Sequence, residues 1–407
     1  MQTPVSSERI ITVDVLRGFA LFGILLAHMI FWYNAGPLPG ELFNKYQDIA
    51  SQVLPVLNEL LIAGKFFAFF SFLFGLSFYL QMQSLEKRQD NFVLRYAWRI
   101  ALLGIIGVIH HAFWRGDILS IYAPLGFLLL PMRNWSNRVI LILGILFAIN
   151  IPGKLIELTR LLSMAQPQTQ NGPPQDFEAA GKAFLALIKQ PHWLPLWKAN
   201  LIAFSEKFRF QLDSGRIFVT FGFFLLGMYS GRKNWFHQGE GSRPVFRKIF
   251  RKSGWLILVC FLCGLSIFGA NSLFHLGWEQ KPLAGFIFSI FFDVMNASLV
   301  CWYITGLSLL LYRPKWQKRL YPLATVGKLA LTCYLTQTLL GLGLFYGVGL
   351  GLVGQTPPWL NWLIALGFFV LQIIVGNWWL KRFLYGPIEW LWRSATFLKW
   401  YPLKRYR

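Results

Sequence analysis

The sequence predicts an all-α protein: a polytopic transmembrane helical bundle of about ten spans with both termini cytoplasmic. Three observations carry this expectation. The 407 residues are 55% hydrophobic and only 14% charged, against roughly 25% charged in an average soluble domain, and the mean hydropathy is +0.48. Apolar runs of about 20 residues, the length that crosses a hydrocarbon core of about 30 Å, recur along the chain. The basic residues sit in short clusters between these runs, which is the form a positive-inside bias takes.

The runs fall at 12–34, 56–82, 93–112, 117–131, 138–160, 213–231, 254–272, 283–311, 320–346 and 359–380. The fourth is short enough to be tilted, broken or re-entrant, and the eighth and ninth are long enough to hide a further segment. A cytoplasmic N-terminus places KRQDNFVLRYAWR (87–99), the 232–252 loop, RPKWQKR (313–319) and the basic C-terminal residues from Lys381 onward on the inner side. With Arg9, Arg133 and Arg138 these hold 25 of the 39 lysines and arginines. The net charge of +22 is therefore spread over loops rather than gathered in one groove-forming domain, and nucleic acid is not expected as a partner. The first run lacks a small-residue cleavage site and contains charged residues, so it reads as a first spanning helix rather than a cleaved leader.

Four parts follow from this pattern: a five-span part (1–160), a long extracytoplasmic loop (161–212), a second five-span part (213–385) and a basic, aromatic cytoplasmic tail (386–407). The loop opens with the polar stretch AQPQTQNGPPQ, which has too little apolar area to fold alone. It continues into the aromatic-rich FLALIKQPHWLPLWKANLIAF, suited to lying along the membrane interface. Both a lid and a plain connector fit this loop.

Ionisable groups inside spans are costly unless paired or set against an aqueous cavity, so they mark functional positions. DVLRGFALFGILLAH (14–28) carries three. Arg17 and His28 are eleven residues apart, close to three helical turns, hence on one face and about 16 Å apart along the axis. Asp14 lies three residues before Arg17 and is placed to neutralise it. Arg17 with Asp14 suits binding of an anionic group, and His28 suits general-base work near neutral pH. The competing account makes Arg17 a snorkelling anchor and His28 a packed residue. A second cluster, GVIHHAFWRGDILSIYA (107–123), offers His110, His111 and Asp117; Asp117 suits capping of the following helix or orienting a histidine. Adjacent histidines do not chelate one ion readily from a helix face, and no metal is expected. Cys260, Cys263, Cys301 and Cys333 all lie in apolar runs and read as packing residues. Gly75, Gly222, Gly227 and Gly231 suit close helix contact, and Thr332, Tyr334, Thr336 and Gln337 suit interhelical hydrogen bonds. No HExxH, Gly-rich phosphate loop or serine elbow occurs, which leaves protease and nucleotide-hydrolase chemistry without support.

DVLRGFALFGILLAH, FFSFLFGLSFY, GDILSIYA, GKLALTCYLTQTLL and KRFLYGPIEWLWR together resemble the bacterial DUF418 (YeiB-like) integral membrane family across essentially the whole chain. That family in turn looks distantly similar to transmembrane acyltransferases, among them the acyltransferase-3 group and heparan glucosaminide N-acetyltransferase. The acyltransferase-3 group carries an arginine and, after ten intervening residues, a histidine on its first helix; Arg17 and His28 match that interval.

The resemblance implies a multi-pass protein of the bacterial inner membrane that moves an acyl group from cytoplasmic acyl-CoA, acetyl-CoA foremost, to an extracytoplasmic acceptor. His28 would be the base, with Asp117 or His110 orienting it or carrying the proton, and Arg17 with Asp14 would meet the donor. The acceptor would be a small molecule or a glycan- or lipid-linked hydroxyl or amine, and a homo-oligomer is compatible with the chain. The alternative is a small-molecule transporter or permease, although no inverted repeat is visible.

Overall fold

A computed structural model describes residues 10–86, 91–164, 177–237, 239–274, 277 and 281–405. The polar stretch 165–175 lies outside the described residues, as do Arg9, Lys87, Arg88 and Arg407. The described chain is all helix and turn, apart from one isolated antiparallel bridge between Phe383 and Lys404.

The helices follow in order as α1 (Ile11–Met29), α2 (Gly40–Phe43), α3 (Ile49–Leu61), α4 (Phe66–Glu86), α5 (Phe92–Phe113) and α6 (Leu119–Met132). Next come α7 (Asn137–Ala148), α8 (Ile151–Met164), α9 (Phe177–Ile188), α10 (Trp193–Ile202), α11 (Phe204–Asp213) and α12 (Arg216–Arg232). The chain ends with α13 (Arg243–Phe274), α14 (Pro282–Leu311), α15 (Pro314–Lys328), α16 (Ala330–Phe345), α17 (Pro358–Arg382) and α18 (Pro387–Phe397).

Among the described residues, six helical stretches are long and apolar enough to cross a membrane, or up to eight if each of two bent pairs counts as one span. The bends fall between α7 and α8, at 47°, and between α15 and α16, at 80°. The first sits at Asn150, whose φ of 61° breaks the helical backbone. The second turns the ninth expected run into two segments. The runs expected at 117–131 and 213–231 form α6 and α12, of 14 and 17 residues. At 1.5 Å per residue these reach about 21 and 26 Å, short of a full hydrocarbon thickness without flanking turns.

In two helix pairs a glycine on each helix meets the backbone of the other. Across α4 and α12, a Cβ on Gly75 would lie 1.9 Å from the Phe224 carbonyl oxygen, and one on Gly227 would lie 1.9 Å from that of Phe72. The exchange repeats across α1 and α15, where a Cβ on Gly18 would meet the Leu323 oxygen at 2.0 Å and one on Gly327 the Asp14 oxygen at 1.8 Å. Small residues permit this approach where lipid supplies no hydrophobic drive for helix association. The contact between α1 and α15 brings Arg17 beside the α15–α16 bend. Helix α13 packs mainly on α14, which itself meets α1, α4, α8 and α15, and α13 presents Trp255, Val259, Phe261 and Leu262 outward, as a lipid-facing helix does.

Candidate functional site

The site begins where α1 ends. Residues 30–33 fold back in a tight turn, and Trp32 and Tyr33 take φ values of 56° and 54°, in the left-handed region. Bulky residues pay about 1–3 kcal/mol for such a backbone, a strain that persists only where the surroundings enforce it. Here Tyr33 is completely buried and its ring lies over Gly341, where a Cβ would come within 2.1 Å of it. The Trp114 indole donates to the Tyr33 carbonyl at 2.9 Å and locks the turn from the other side.

The Tyr33 hydroxyl is 3.4 Å from Thr338 Oγ1 on α16, and Thr338 Oγ1 is 3.0 Å from Nε2 of His110 on α5. His110 Nδ1 is in turn 2.7 Å from Asp117 Oδ1. Ionised Asp117 accepts from Nδ1–H, which leaves Nε2 as the acceptor of the Thr338 hydroxyl hydrogen. The order of donors is thus Tyr33, Thr338, His110, with Asp117 as the final acceptor. Both sequence readings of Asp117 hold together: besides His110, it accepts from the backbone amides of Leu119 at 3.1 Å and Ser120 at 2.8 Å, in the first turn of α6. His110 and Asp117 are 6% and 2% exposed. A buried carboxylate bonded to one imidazole nitrogen fixes the tautomer and orientation of the ring, the arrangement that makes histidine an effective base.

Helices α10 and α11, from the loop expected at 161–212, supply residues to the same cluster. Lys207 of α11 donates to Ser120 Oγ at 2.8 Å, lies 3.3 Å from His111 Nδ1 and reaches Asp117 Oδ2 at 3.5 Å. Burial pushes the Lys207 ammonium below its ordinary proton affinity, and the Asp117 charge opposes that shift. His111 Nε2 is 2.8 Å from the Asn200 carbonyl, and the Asn200 side chain donates to the Ala112 carbonyl and accepts from Arg115. Helix α10 is thereby fastened to the end of α5.

The stripe expected on α1 divides between two places. Arg17 bonds Asp14 at 3.1 Å and also donates to Ser77 of α4 at 2.6 Å. Arg17 lines a cavity of about 280 Å³ that extends past Leu21, Ser77, Tyr96, Arg99 and Tyr122 to Ile118, Leu119 and Tyr334. The Tyr334 ring packs edge-on against His110, with centroids 5.1 Å apart, and its hydroxyl accepts from the Ile118 amide. Tyr334 is therefore a common wall of the cavity and of the His110 cluster. None of His28, His110, Asp117 and Thr338 lines this cavity itself. His28 packs on the rings of Tyr33 and Trp114, with centroids 5.3 and 4.8 Å away, and its ring nitrogens have no hydrogen-bond partner among the described residues.

The bend between α15 and α16 forms part of the cavity wall. The two oxygens of Glu389, on α18, accept from the amides of Leu331 and Thr332 and from the Thr332 hydroxyl at 2.5–2.9 Å, capping the exposed start of α16. The YGPIEWLWR stretch thus closes one end of the cavity: Pro387–Phe397 is a helix packed on α5 and α16. Thr338, Tyr33, Lys207, Glu389 and Arg99 were not singled out from sequence. For Thr338 a signal existed: it follows Tyr334 by four residues and so shares its helix face. Among the described residues no group of three or more His, Cys, Asp or Glu side chains is placed to hold a metal.

Long apolar helices and the breaks inside them define a multi-pass α-helical membrane protein, with a buried polar cluster and a cavity within its bundle. The family model described as "Protein of unknown function (DUF418)" matches residues 230–399. The chain is 30% identical over 422 residues to "Uncharacterized protein YxaH" of Bacillus subtilis (strain 168), covering all of this chain and 98% of the relative. It is 26% identical over 414 residues to "Uncharacterized protein YeiB" of Escherichia coli (strain K12), covering 96% of each. A similarity of 28% over 405 residues links it to an "Uncharacterized 39.9 kDa protein in amylase 3'region" of Bacillus acidopullulyticus, with 97% and 96% covered. The chain belongs to the DUF418 family.

Proposed function

We propose that the protein is an acyltransferase of the bacterial inner membrane, with about ten membrane segments and both termini cytoplasmic. It takes acyl-CoA from the cytoplasm and delivers the acyl group to a hydroxyl or amine outside. The observation that carries this reading is the alignment of one cavity with two kinds of chemistry. Arg17, steadied by Asp14, lies at one end, and the Asp117–His110–Thr338 relay lies behind Tyr334 at the other. Pockets for drug-sized ligands measure about 300–1,000 Å³. A cavity of about 280 Å³ thus suits the slender thioester-bearing arm of the donor, with the nucleotide part remaining among the basic loops.

In this reading His110 is the base rather than His28, because Asp117 orients it and Thr338 already bonds its Nε2. The acceptor passes its proton to the Thr338 oxygen as Thr338 gives its own hydrogen to Nε2. The acceptor oxygen or nitrogen attacks the thioester carbonyl, the C–S bond breaks, and the proton held by His110 leaves with the coenzyme A thiol. His28 stands one ring away, on the far side of Trp114 from His110.

The test is single-turnover acyl-CoA consumption by purified protein in liposomes, with acceptors supplied in the lumen. Acyl transfer that falls at least a hundred-fold in His110→Ala supports the reading. Loss in His28→Ala with His110→Ala active would return the base to His28. Absence of any acyl-CoA consumption would end the proposal. One observation favours the transporter reading: helix α15–α16 is broken by 80° at the cavity wall, as discontinuous helices are at transporter binding sites. Substrate flux independent of acyl-CoA would select it.

A further inference from the structure

The end of the cavity nearest Arg17 contains a second arrangement that the relay does not use. Arg99 of α5 lines it, and its guanidinium lies 3.7 Å over the Trp392 ring, with no hydrogen bond or ion pair to any side chain among the described residues. The Trp392 indole donates to the Arg99 carbonyl at 3.1 Å, which fixes the ring as a seat for the cation. Lys328 lines the same end and has the Tyr321 ring beside it at 5.8 Å, again with no carboxylate partner among the described residues. Glu389, the acidic side chain on this wall, is committed to the start of α16. The side chain of Tyr96, one turn before Arg99, also lines the cavity and is 2% exposed, and its hydroxyl has no hydrogen-bond partner among the described residues.

A guanidinium set flat on an aromatic ring keeps its N–H edge free for a planar or tetrahedral anion. A buried hydroxyl without a partner forfeits a hydrogen bond unless a ligand supplies it. We propose that Arg99, Tyr96 and Lys328, together with Arg17, form a binding site for a phosphate or diphosphate group. The inference deepens the acyl-CoA reading and rests on it only for the direction of substrate entry. The same chemistry would serve the diphosphate of a nucleotide-bearing donor or the phosphate of an anionic lipid headgroup.

The test uses the full chain in nanodiscs of neutral phosphatidylcholine, titrated calorimetrically with coenzyme A, pantetheine and inorganic pyrophosphate. Coenzyme A and pyrophosphate are expected to bind, with pantetheine at least about ten-fold weaker. Arg99→Gln is expected to weaken both anions by about ten-fold or more and Tyr96→Phe by less, as befits charge-assisted and neutral hydrogen bonds. Arg99-dependent binding of pyrophosphate without coenzyme A binding supports the anion site and removes the acyl-CoA reading. Arg99-dependent loss of pyrophosphate binding on adding phosphatidylglycerol supports the site with a lipid headgroup as its occupant. Coenzyme A binding unchanged in folded Arg99→Gln and Tyr96→Phe overturns the inference and leaves the acyl-CoA reading standing. Failure of every probe to bind also overturns it. Should Arg99→Gln not fold, Tyr96→Phe and Lys328→Gln carry the same test.

Discussion

His110 Nδ1 lies 2.7 Å from Asp117 Oδ1, and the same carboxylate holds the first backbone amides of α6. One side chain therefore fixes both a histidine tautomer and the entry of a helix. Asp117→Asn is expected to lower acyl transfer by about a hundred-fold or more, since the amide no longer enforces the Nδ1–H tautomer. It should also cost about 1–3 kcal/mol of stability through lost charge-assisted bonds. Turnover and thermal unfolding of the same preparation measure the two effects. Wild-type turnover in the variant would remove Asp117 from the mechanism.

Thr338 separates two roles by its hydroxyl. Thr338→Ser keeps the oxygen between Tyr33 and His110, whereas Thr338→Val keeps the volume and removes it. The serine variant should retain activity within a few-fold, and the valine variant should lose about ten-fold or more. Equal activities would show that the hydroxyl carries no proton.

Lys207 gives a pH signature. Burial lowers its proton affinity below the ordinary lysine value of about 10.4. Below the folded value both folded and unfolded chains hold the proton, and the folded chain bears the whole burial cost. Between the folded value and about 10.4 the unfolded chain binds more protons, so stability rises with pH. Wild type should therefore gain on Lys207→Met as pH climbs through that window, read as a melting-temperature difference, wild type minus variant, that rises with pH. Parallel curves would contradict the assignment.

Gly227 tests the α4–α12 joint. An alanine there would drive its Cβ against the Phe72 carbonyl, and neither backbone can retreat without opening the pair. Gly227→Ala is expected to cost about 1–3 kcal/mol, as overpacking does. An alanine at Gly269, which has open space, is the control in a detergent-resistance assay. Equal losses at the two positions would argue against close packing.

Glu389→Gln should loosen the start of α16, because a neutral amide caps two backbone N–H groups less well than a carboxylate does. A loss of about 0.5–2 kcal/mol is expected, with faster hydrogen exchange at Leu331 and Thr332. Unchanged exchange there would mean that the cap is dispensable.

Much of this was legible from the chain. Composition and run length gave an all-helical membrane protein, and the three-residue spacing gave the Asp14–Arg17 pair. Small residues marked the faces where Gly75 and Gly227 meet carbonyls, and Thr336 with Gln337 bond Gln372 on α17, as polar groups in apolar helices do. His110 and Asp117 were both visible because they flank one turn.

Their partners were not visible, and the reason is geometric. Helical periodicity gives each residue its face and depth but leaves open which helix stands opposite. Thr338 is 228 positions from His110, and Lys207 is 90 from Asp117. The interval of eleven placed Arg17 and His28 on one face of α1, yet the cavity follows α4, α5 and the α15–α16 bend toward Tyr334 and leaves His28 behind the Trp114 ring. The sequence by itself determined what each helix offers: an apolar surface, an ionisable group at a known height, and a glycine where a neighbour can approach. Which of these offerings meet was decided by the tertiary packing, because close backbone contacts at a few glycines set how the helices are rotated against one another.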